Sequence, residues 1–444
     1  MSSGLNGDKI HLKAPKNWIN DPNGFIYYQG MYHLFYQHFP YAPMWGTMHW
    51  GHAVSKDLVN WEHQDVAVFP SRYEDQNGCY SGSAVEHEGR MYLFYTGVHY
   101  DKINPENIHI CPEMQFEASQ LVIVSDDGFT FDNFQDKHVA IPVITDPAKG
   151  DKVHTRDPKV WRGKDAWYMI LGSSIGYKRG RALLYKSKNL FDWKFINSVS
   201  KPEGFGWMWE CPDFFETAGG SVLMLSTMGI LQGDNGTECQ TICTVVDFDE
   251  ETCKMDIPDN YQYFDHGFEL YAPQSAIDAE GRRVVVAWLR MPEPVDGKWS
   301  GMFCIPRVVE VREGHIYFRV HPNVEKQYRR QISSAAESAE AGYKVSMKLA
   351  DGEGANIGGY QILRRGNRVY TDKTAVAKRK EGERRQFETP EMREDCYLDV
   401  YVDSHLIEVF VNDGEYVISN AVYGLGSDIQ ADEMQNVKIF TVGS

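Results

Sequence analysis

The stretch WINDPNGFIYYQGMYHLFYQ, residues 18–37, joins a polar turn to a run of alternating aromatic and polar side chains. Asp, Pro, Asn and Gly are strong turn formers, so NDPNG by itself indicates a turn that leads into a strand. The run from Met31 has the two-residue period of a β-strand. The stretch therefore predicts paired strands, and it leaves open whether Asp21 only shapes the turn or also takes part in chemistry.

A polar turn followed by a strand-like run recurs five times in the first part of the chain, and the runs start at Met31, Arg90, Ala166, Ser221 and Val284. Their spacing is roughly 55–75 residues, the length of a repeat with several strands. A Ser-x-Asp/Asn turn before an aromatic strand also recurs, in SKDLVNWE, SDDGFTFDNF and SKNLFDWKF from Ser55, Ser125 and Ser187. Five copies predict a five-bladed β-propeller over residues 8–318.

The pattern changes after residue 318. Residues 319–334 have a charged, helix-compatible composition and are predicted to be a linker. Alternating strands resume from residue 335, as in YLDVYVDSHLIEVFVNDGEYVIS, where VD and NDG supply turns. Residues 335–444 are therefore predicted to form a β-sandwich, and the fold class is all-β.

The charge of the chain excludes several kinds of partner. The 444 residues carry a formal net charge of −17, whereas nucleic-acid and anionic-membrane surfaces need a basic face. No run approaches the roughly 18 apolar residues of a membrane span, and the first residues lack the apolar core of a secretory signal. The sequence predicts a cytoplasmic protein, and assembly into a homo-oligomer through the sandwich domain stays open.

Eight cysteines are present, at positions 79, 111, 211, 239, 243, 253, 304 and 396. In a long chain without a signal peptide, reduced thiols are expected rather than disulfides. Positions 239, 243 and 253 cluster, but no CxxC pair or matching His completes a zinc site. We therefore predict no metal.

Each of the five strand-like runs is preceded by a polar motif, and these motifs are NDPNG, YSGSAV, RDPKV, ECPDF and YAPQS. They occupy equivalent places in the repeat, on the strand before the turn. If that strand is the innermost of its blade, all five motifs face one central cavity. This arrangement would bring together Asp21, Asp157 and Glu210, which lie far apart in the sequence.

Three carboxylates in a pocket rich in Trp and Tyr suggest glycosidic bond cleavage, which needs one ionised and one protonated carboxyl group. Glu210, in GWMWECPDFF, has apolar and aromatic neighbours that would disfavour its charged form, so it is the predicted acid. Asp21 lies among amide and turn groups that could keep it charged. Asp157 follows Arg156, and the adjacent cation is expected to hold it ionised for binding or electrostatic support.

The motifs WINDPNG, RDP and EC, in this order, resemble family 32 of the glycoside hydrolases: the invertases, sucrose-6-phosphate hydrolases, inulinases and levanases. The resemblance extends to LFYQ, WGTMHWGHAVSKDLVNWEH, SGSAV, YAPQ and IEVFVNDGE, and covers nearly the whole chain. It implies a five-bladed propeller, a β-sandwich, and retention through a covalent fructosyl-enzyme without a cofactor. By position, Asp21 matches the nucleophile, Glu210 the acid/base, and Asp157 the residue that holds fructose hydroxyls.

The resemblance also implies a set of substrate-binding residues. The candidates are Asn20, Gln37, Trp45, Tyr80, Ser81, Arg156, Cys211, Tyr271 and Trp288. Among these, Cys211 matches a family Cys that tunes Glu210. Two positions depart from the family pattern: Tyr80 stands where Phe is frequent, and Arg290 stands where smaller residues are common. Both departures bear on aglycone preference rather than on the carboxylates.

Three other functions stay open at this point. They are an inverting five-bladed glycosidase such as an arabinan-degrading enzyme, a fructosyltransferase with the same intermediate, and a non-catalytic sugar-binding propeller. The substrate is a small sugar, with sucrose, sucrose-6-phosphate and short fructo-oligosaccharides all compatible. Lys178, Arg179 and Arg181 form a basic group that could bind phosphate, although a solvated turn is the simpler explanation.

Overall fold

The computed structural model consists almost entirely of β-sheets, and it describes residues 8–201, 204–230, 239–338, 342–378, 383–393 and 395–443. Within these residues, five largely antiparallel sheets follow one another along the first 320 positions. The strands of the first sheet are β1 (Asp8–Lys9), β2 (Asn17–Tyr28), β3 (Met31–Phe39), β4 (His49–Ser55) and β5 (Asn60–Val68). Those of the second are β6 (Cys79–His87), β7 (Arg90–Tyr100), β8 (Phe116–Ser125) and β9 (Lys137–Ile141).

The next three sheets repeat this order. The third contains β10 (Thr155–Arg162), β11 (Trp167–Ile175), β12 (Arg179–Ser187) and β13 (Trp193–Ser200). The fourth contains β14 (Met208–Thr217), β15 (Gly220–Met228), β16 (Cys239–Asp249), β17 (Lys254–Asp256) and β18 (Gln262–Tyr263). The remaining strands up to residue 320 are β19 (Leu270–Ile277), β20 (Arg283–Leu289), β21 (Trp299–Ser300), β22 (Met302–Phe303), β23 (Arg307–Arg312) and β24 (His315–Val320). Of these, β21 pairs in parallel with β2, and the others form the fifth sheet.

The predicted repeat corresponds to the first two strands of each sheet. The second strands β3, β7, β11, β15 and β20 begin within one residue of the predicted starts. The polar motifs lie on the strands before them, β2, β6, β10, β14 and β19. Each of these first strands contacts the first strand of the next sheet, and β19 contacts β2. The five motifs therefore face the same region of the molecule.

The Ser-x-Asp/Asn turns form as predicted, because the carboxylate or amide oxygens of Asp57, Asp127 and Asn189 accept backbone N–H groups two and three residues ahead. The prediction of an aromatic strand directly after Ser125 is wrong. There Asp132 accepts two further backbone N–H groups and makes a second turn, so β9 begins only at Lys137.

The hydrophobic core lies between neighbouring sheets. Trp50 and Leu93 belong to a cluster shared by the first and second sheets, and Phe94 and Met169 belong to one shared by the second and third. Similar clusters join the third to the fourth sheet, the fourth to the fifth, and the fifth to the first. Each sheet thus buries both of its faces against its neighbours.

The C-terminal part begins with the one α-helix of the described residues, α1 (Pro322–Glu325), and short 3₁₀ turns occur at Tyr73–Asp75, Pro112–Met114, Ala335–Glu337 and Met434–Asn436. Its strands are β25 (Arg330–Ile332), β26 (Tyr343–Leu349), β27 (Gly354–Ile357), β28 (Tyr360–Arg365), β29 (Arg368–Asp372), β30 (Gln386–Glu388), β31 (Cys396–Val402), β32 (Leu406–Val411), β33 (Tyr416–Ala421), β34 (Ile429–Ala431) and β35 (Lys438–Thr441). Two sheets, in the orders β25-β35-β26-β31-β32-β33 and β30-β29-β28-β27-β34, share one core. This is the architecture of a β-sandwich.

The cysteines and the helices bear on two of the sequence predictions. All eight cysteines lie in the described residues and all are free, as expected for reduced thiols. No described helix is long and apolar enough to cross a membrane.

A buried network of charges joins the first five sheets to the sandwich. The ring of His11 hydrogen-bonds to Asp403 at 3.1 Å and to Glu408 at 3.0 Å. Arg307 donates to Glu408 at 2.7 Å and to Asp265 at 3.0 Å. Burial by itself would lower the pKa of His11, but the two carboxylates outweigh it and raise the pKa from 6.5 to about 9.

We expect the His11→Gln variant to be less stable than the wild type by about 3 kcal/mol below pH 6.5, the free energy that corresponds to this pKa shift. Because the folded-state pKa is the higher one, the contribution of His11 is complete below pH 6.5 and is lost as the pH rises through about 9. Urea unfolding of both proteins at pH 6 and pH 10 measures the difference. The exposed His138→Gln change serves as control. A difference between wild type and His11→Gln that does not vary with pH would contradict the assignment.

Candidate active site

A β-bulge interrupts each of the five first strands at its polar motif. The strand register shifts between residues 19 and 22, 79 and 82, 156 and 159, 210 and 213, and 271 and 274. Four of the five motifs carry Pro at the bulge, a position where a strand tolerates its missing N–H group. A bulge changes the direction in which side chains point. The repeated bulge therefore turns one or two side chains of each motif towards a common pocket.

Three of these bulges hold a non-glycine residue in the left-handed backbone region. The φ angles are 65° at Asp157, 44° at Cys211 and 51° at Ala272. Such conformations cost of order 1–3 kcal/mol each and persist only where the surrounding structure enforces them. Each of the three residues directly precedes a proline.

The five motifs surround a pocket of about 440 Å³. Eleven of the twelve predicted site residues line it: Asn20, Asp21, Gln37, Trp45, Tyr80, Ser81, Arg156, Asp157, Glu210, Tyr271 and Trp288. Cys211 is the one that is not among the lining residues, although its thiol contacts two of them, Asp21 and Asp157. Sequence reasoning missed five lining residues, Tyr100, Ile110, Cys111, Met114 and Phe116. Isoleucines within the otherwise polar segment DKINPENIHICPEM were the available signal, because exposed apolar residues in a loop indicate a binding surface.

Asp21 has one donor from its own sequence context, the Asn20 amide, and two from other strands, Ser81 and Cys211. Ser81 donates to Oδ2 at 2.6 Å, Asn20 donates to Oδ1 at 3.2 Å, and the Cys211 thiol lies 3.5 Å from Oδ2. Burial and the negative charge of Glu210 nevertheless raise the pKa of Asp21 above its ordinary value, against these donors. The donors fix the direction of the carboxylate and expose one edge to the pocket.

The environment of Glu210 differs from the apolar one expected. Arg156 donates to Oε1 through Nε at 3.2 Å and Nη2 at 2.8 Å, and the Tyr271 hydroxyl donates to Oε2 at 2.7 Å. Trp209, the preceding residue, points into the core between the third and fourth sheets. The aromatic neighbours in the sequence therefore lie away from the carboxylate, because successive side chains of a strand point to opposite faces.

The expectation that Arg156 holds Asp157 ionised is wrong. Arg156 directs its guanidinium to Glu210 on the neighbouring sheet, and Asp157 accepts instead the backbone N–H of Cys211 at 2.9 Å. Burial raises the pKa of Asp157 to about 7; the charge of Arg156 opposes this rise, and the charges of Glu210 and Asp21 add to it. Around neutral pH Asp157 is consequently only partly ionised.

Cys211 contacts the two aspartates rather than Glu210. Its thiol lies 3.5 Å from Asp21 and 3.6 Å from Asp157. Burial and the nearby carboxylates raise the pKa of this thiol well above its ordinary value, so it is protonated at neutral pH. It acts on the site as a hydrogen-bond donor.

The remaining candidates form the walls of the pocket. Gln37 donates to the carbonyl of residue 79 at 2.9 Å, and Trp18 packs against Trp288 with its N–H bonded to Asn20. Trp45 meets the Tyr80 ring edge to face at 6.1 Å between ring centroids. These contacts hold the aromatic rings around the carboxylates.

Tyr80 and Arg290, the two departures from the family pattern, both make defined contacts with neighbouring residues. The Tyr80 hydroxyl is hydrogen-bonded to Tyr100. Arg290 packs 4.9 Å from the ring centre of Tyr271 and donates to the carbonyls of residues 239 and 268, so it supports Tyr271 without touching a carboxylate. The solvated-turn explanation is wrong for Arg181, which is buried and donates to the carbonyls of residues 147 and 148.

Comparisons with known proteins identify the family of this chain. The chain matches the glycosyl hydrolases family 32 N-terminal domain over residues 11–322 and the family 32 C-terminal domain over residues 326–444. It is 30% identical to sucrose-6-phosphate hydrolase of Bacillus subtilis (92% of this chain, 87% of the relative) and 32% identical to raffinose invertase of Escherichia coli (96% and 90%).

Solved structures share the fold. The family 32 β-fructofuranosidase of Bombyx mori superposes with a TM-score of 0.82 at 26% identity, covering 99% of this chain and 94% of that one. Sucrose-6-phosphate hydrolase of Lactobacillus gasseri gives a TM-score of 0.84 at 22% identity, covering 100% and 94%. Since the family matches span nearly the whole sequence, the protein belongs to family 32 of the glycosyl hydrolases.

Proposed function

We propose that the protein is a β-fructofuranosidase that hydrolyses terminal β-D-fructofuranosides of the sucrose type. The observation that carries this proposal is the meeting of Asp21, Asp157 and Glu210 in one pocket, each delivered by the bulge of a different sheet. The relatives named sucrose-6-phosphate hydrolase and raffinose invertase support the same reaction. A non-catalytic sugar-binding protein would have no need for all three carboxylates in one pocket.

The mechanism has two steps. Asp21, oriented by Ser81 and Asn20, attacks the anomeric carbon of fructose while Glu210 protonates the departing oxygen. Glu210 then deprotonates a water molecule that releases fructose. The bonds from Arg156 and Tyr271 hold Glu210 on the side of the leaving group. Neither step needs a cofactor.

Asp157 links substrate binding to protonation. A fructose hydroxyl that donates to Asp157 favours its ionised form. Since the pKa of Asp157 is about 7 in the free protein, binding then favours loss of the proton of Asp157, which lies in a cluster with Asp21 and Glu210. Glu210 is the member of the cluster that must carry a proton for the first step.

We also infer the larger architecture from the strand contacts. Closure of β19 onto β2, together with the contacts between successive first strands, supports five blades around the pocket. The propeller then covers residues 8–318, the linker 319–334 and the sandwich 335–444. The cytoplasmic location and the homo-oligomer stay predictions from the sequence.

The experiment that tests the reaction uses sucrose with methanol as a competing acceptor. We expect equal release of glucose and fructose in water, and methyl β-D-fructofuranoside when methanol is added, because a retaining enzyme transfers with unchanged configuration. Absence of the methyl β-fructoside would indicate inversion. An excess of glucose over fructose without methanol would indicate a fructosyltransferase. Sugar binding without release of either product would overturn the proposal.

A further inference from the structure

The pocket has a polar floor and an apolar rim. Gln37 and Asp157 on the floor are 2% and 5% exposed, whereas Trp45, Ile110 and Met114 at the mouth are 37%, 50% and 46% exposed. If the proposed function is correct, the fructosyl ring with its hydroxyl groups occupies the floor beside the carboxylates. The leaving group then lies at the mouth, against the apolar rim.

The rim is held in place by a chain of hydrogen bonds. The Tyr100 hydroxyl, bonded to Tyr80, donates to the backbone carbonyl of His109 at 3.0 Å. The ring of His109 is hydrogen-bonded to the Thr47 hydroxyl at 2.8 Å. This chain ties residues 101–115, which carry Ile110 and Met114, to the loop before β4. The side chains of Ile110 and Met114 thus belong to a segment that hydrogen bonds hold in place.

The charge of the pocket is negative. Among the described lining residues, Arg156 is the single cation, and it faces the carboxylates Asp21, Asp157 and Glu210. Arg156 is already committed, since it donates to Glu210 and its Nη1 lies 3.2 Å from the His154 ring. A phosphate group at the mouth would therefore meet apolar side chains and an excess of negative charge, the opposite of a phosphate site.

Two cations of neighbouring segments, Lys152 and Arg181, are paired. Lys152, next to the rim segment, contacts Asp101 at 3.2 Å and Glu117 at 3.1 Å. Arg181 bonds to backbone carbonyls. Neither is directed into the pocket wall.

We propose that this protein selects an uncharged leaving group, a glucosyl or fructosyl unit that packs its apolar face on the rim formed by Trp45, Ile110 and Met114, and that it discriminates against phosphorylated sugars. Its preferred substrates are sucrose and short fructo-oligosaccharides. This inference rests on the proposed function and distinguishes the protein from the relatives named sucrose-6-phosphate hydrolases.

The first test compares kcat/KM of the wild-type protein on sucrose, sucrose-6-phosphate and a short fructo-oligosaccharide. We expect sucrose to exceed sucrose-6-phosphate by at least about tenfold, a difference of about 1.4 kcal/mol. Equal or faster cleavage of the phosphorylated sugar would overturn the inference while leaving the hydrolase assignment intact. No fructose release from any of the three would overturn the proposed function, and this inference with it.

The second test introduces a lysine into the apolar rim of the pocket. We expect Ile110→Lys to raise the ratio of kcat/KM for sucrose-6-phosphate over sucrose by about tenfold or more. The matched control is Ile103→Lys, which adds the same charge at an exposed position of the same segment outside the pocket. We expect no change in the ratio for the control. Equal changes in both variants would show that overall charge, rather than the rim, decides the preference, and would overturn the inference.

Discussion

The Asp21→Asn variant is expected to lose about four orders of magnitude or more in kcat on sucrose, the scale on which hydrolases respond to loss of a nucleophile. The amide has nearly the same shape and can still accept the Ser81 hydrogen bond, which is 2.6 Å long in the wild type. It cannot form the covalent bond to the anomeric carbon at a comparable rate. Steady-state glucose release measures the loss.

Stability separates this chemical effect from misfolding. Burial raises the pKa of Asp21, so the neutral amide removes an unfavourable buried charge, and we expect the variant to be at least as stable as the wild type. The control is Asp65→Asn, the same change on the exposed face of β5, which should leave both kcat and stability unaltered. Near-normal turnover by a folded Asp21→Asn protein would remove Asp21 from the mechanism.

The Glu210→Gln variant is expected to lose about 10²–10⁴-fold in kcat on sucrose, the usual contribution of a general acid. The loss of the first step should be much smaller on fructosyl fluoride, because fluoride departs without a proton. Azide should then restore turnover, since it attacks the fructosyl-enzyme without help from a base. Initial rates on both substrates, with and without azide, measure these effects.

The control for this variant is Glu216→Gln, the same change at an exposed position of the same strand, β14. We expect wild-type rates from it on both substrates. Equal losses for Glu210→Gln on sucrose and fructosyl fluoride, without rescue by azide, would mean that Glu210 binds the substrate or supports Arg156 rather than transferring a proton.

Much of the fold could be predicted because a two-residue period indicates both where a strand lies and which of its side chains point to the same face. The run from Met31 begins β3 at that residue, and Arg90 begins β7. The equivalence of the polar motifs then sufficed to bring Asp21, Asp157 and Glu210 together, since repeated units place equivalent residues alike. The prediction of a strand after Ser125 was wrong because a second turn-forming residue, Asp132, follows Asp127 at close spacing.

The electrostatics of the site could not be read from the chain. Arg156 adjoins Asp157 in the sequence, but its guanidinium pairs with Glu210 on the next sheet. A β-bulge decides this direction, and its geometry depends on the paired strand. The lining residues of segment 101–115 were missed for a similar reason: the segment has no strand period, and its position depends on hydrogen bonds such as that between His109 and Thr47.

The buried network of His11 bears on the order in which the molecule can be completed during synthesis. His11 and Glu408 are separated by 397 residues, so the contact cannot form until translation has passed the strand β32. Until then, His11 lacks both of its carboxylate partners and Arg307 lacks Glu408, and burying these polar groups without their partners would be costly. The first five sheets can therefore assemble early, as domains usually do. The surface that carries His11 and Arg307 can be buried only after the sandwich has formed. The contact between His11 and Glu408 is therefore among the later ones that can form during synthesis.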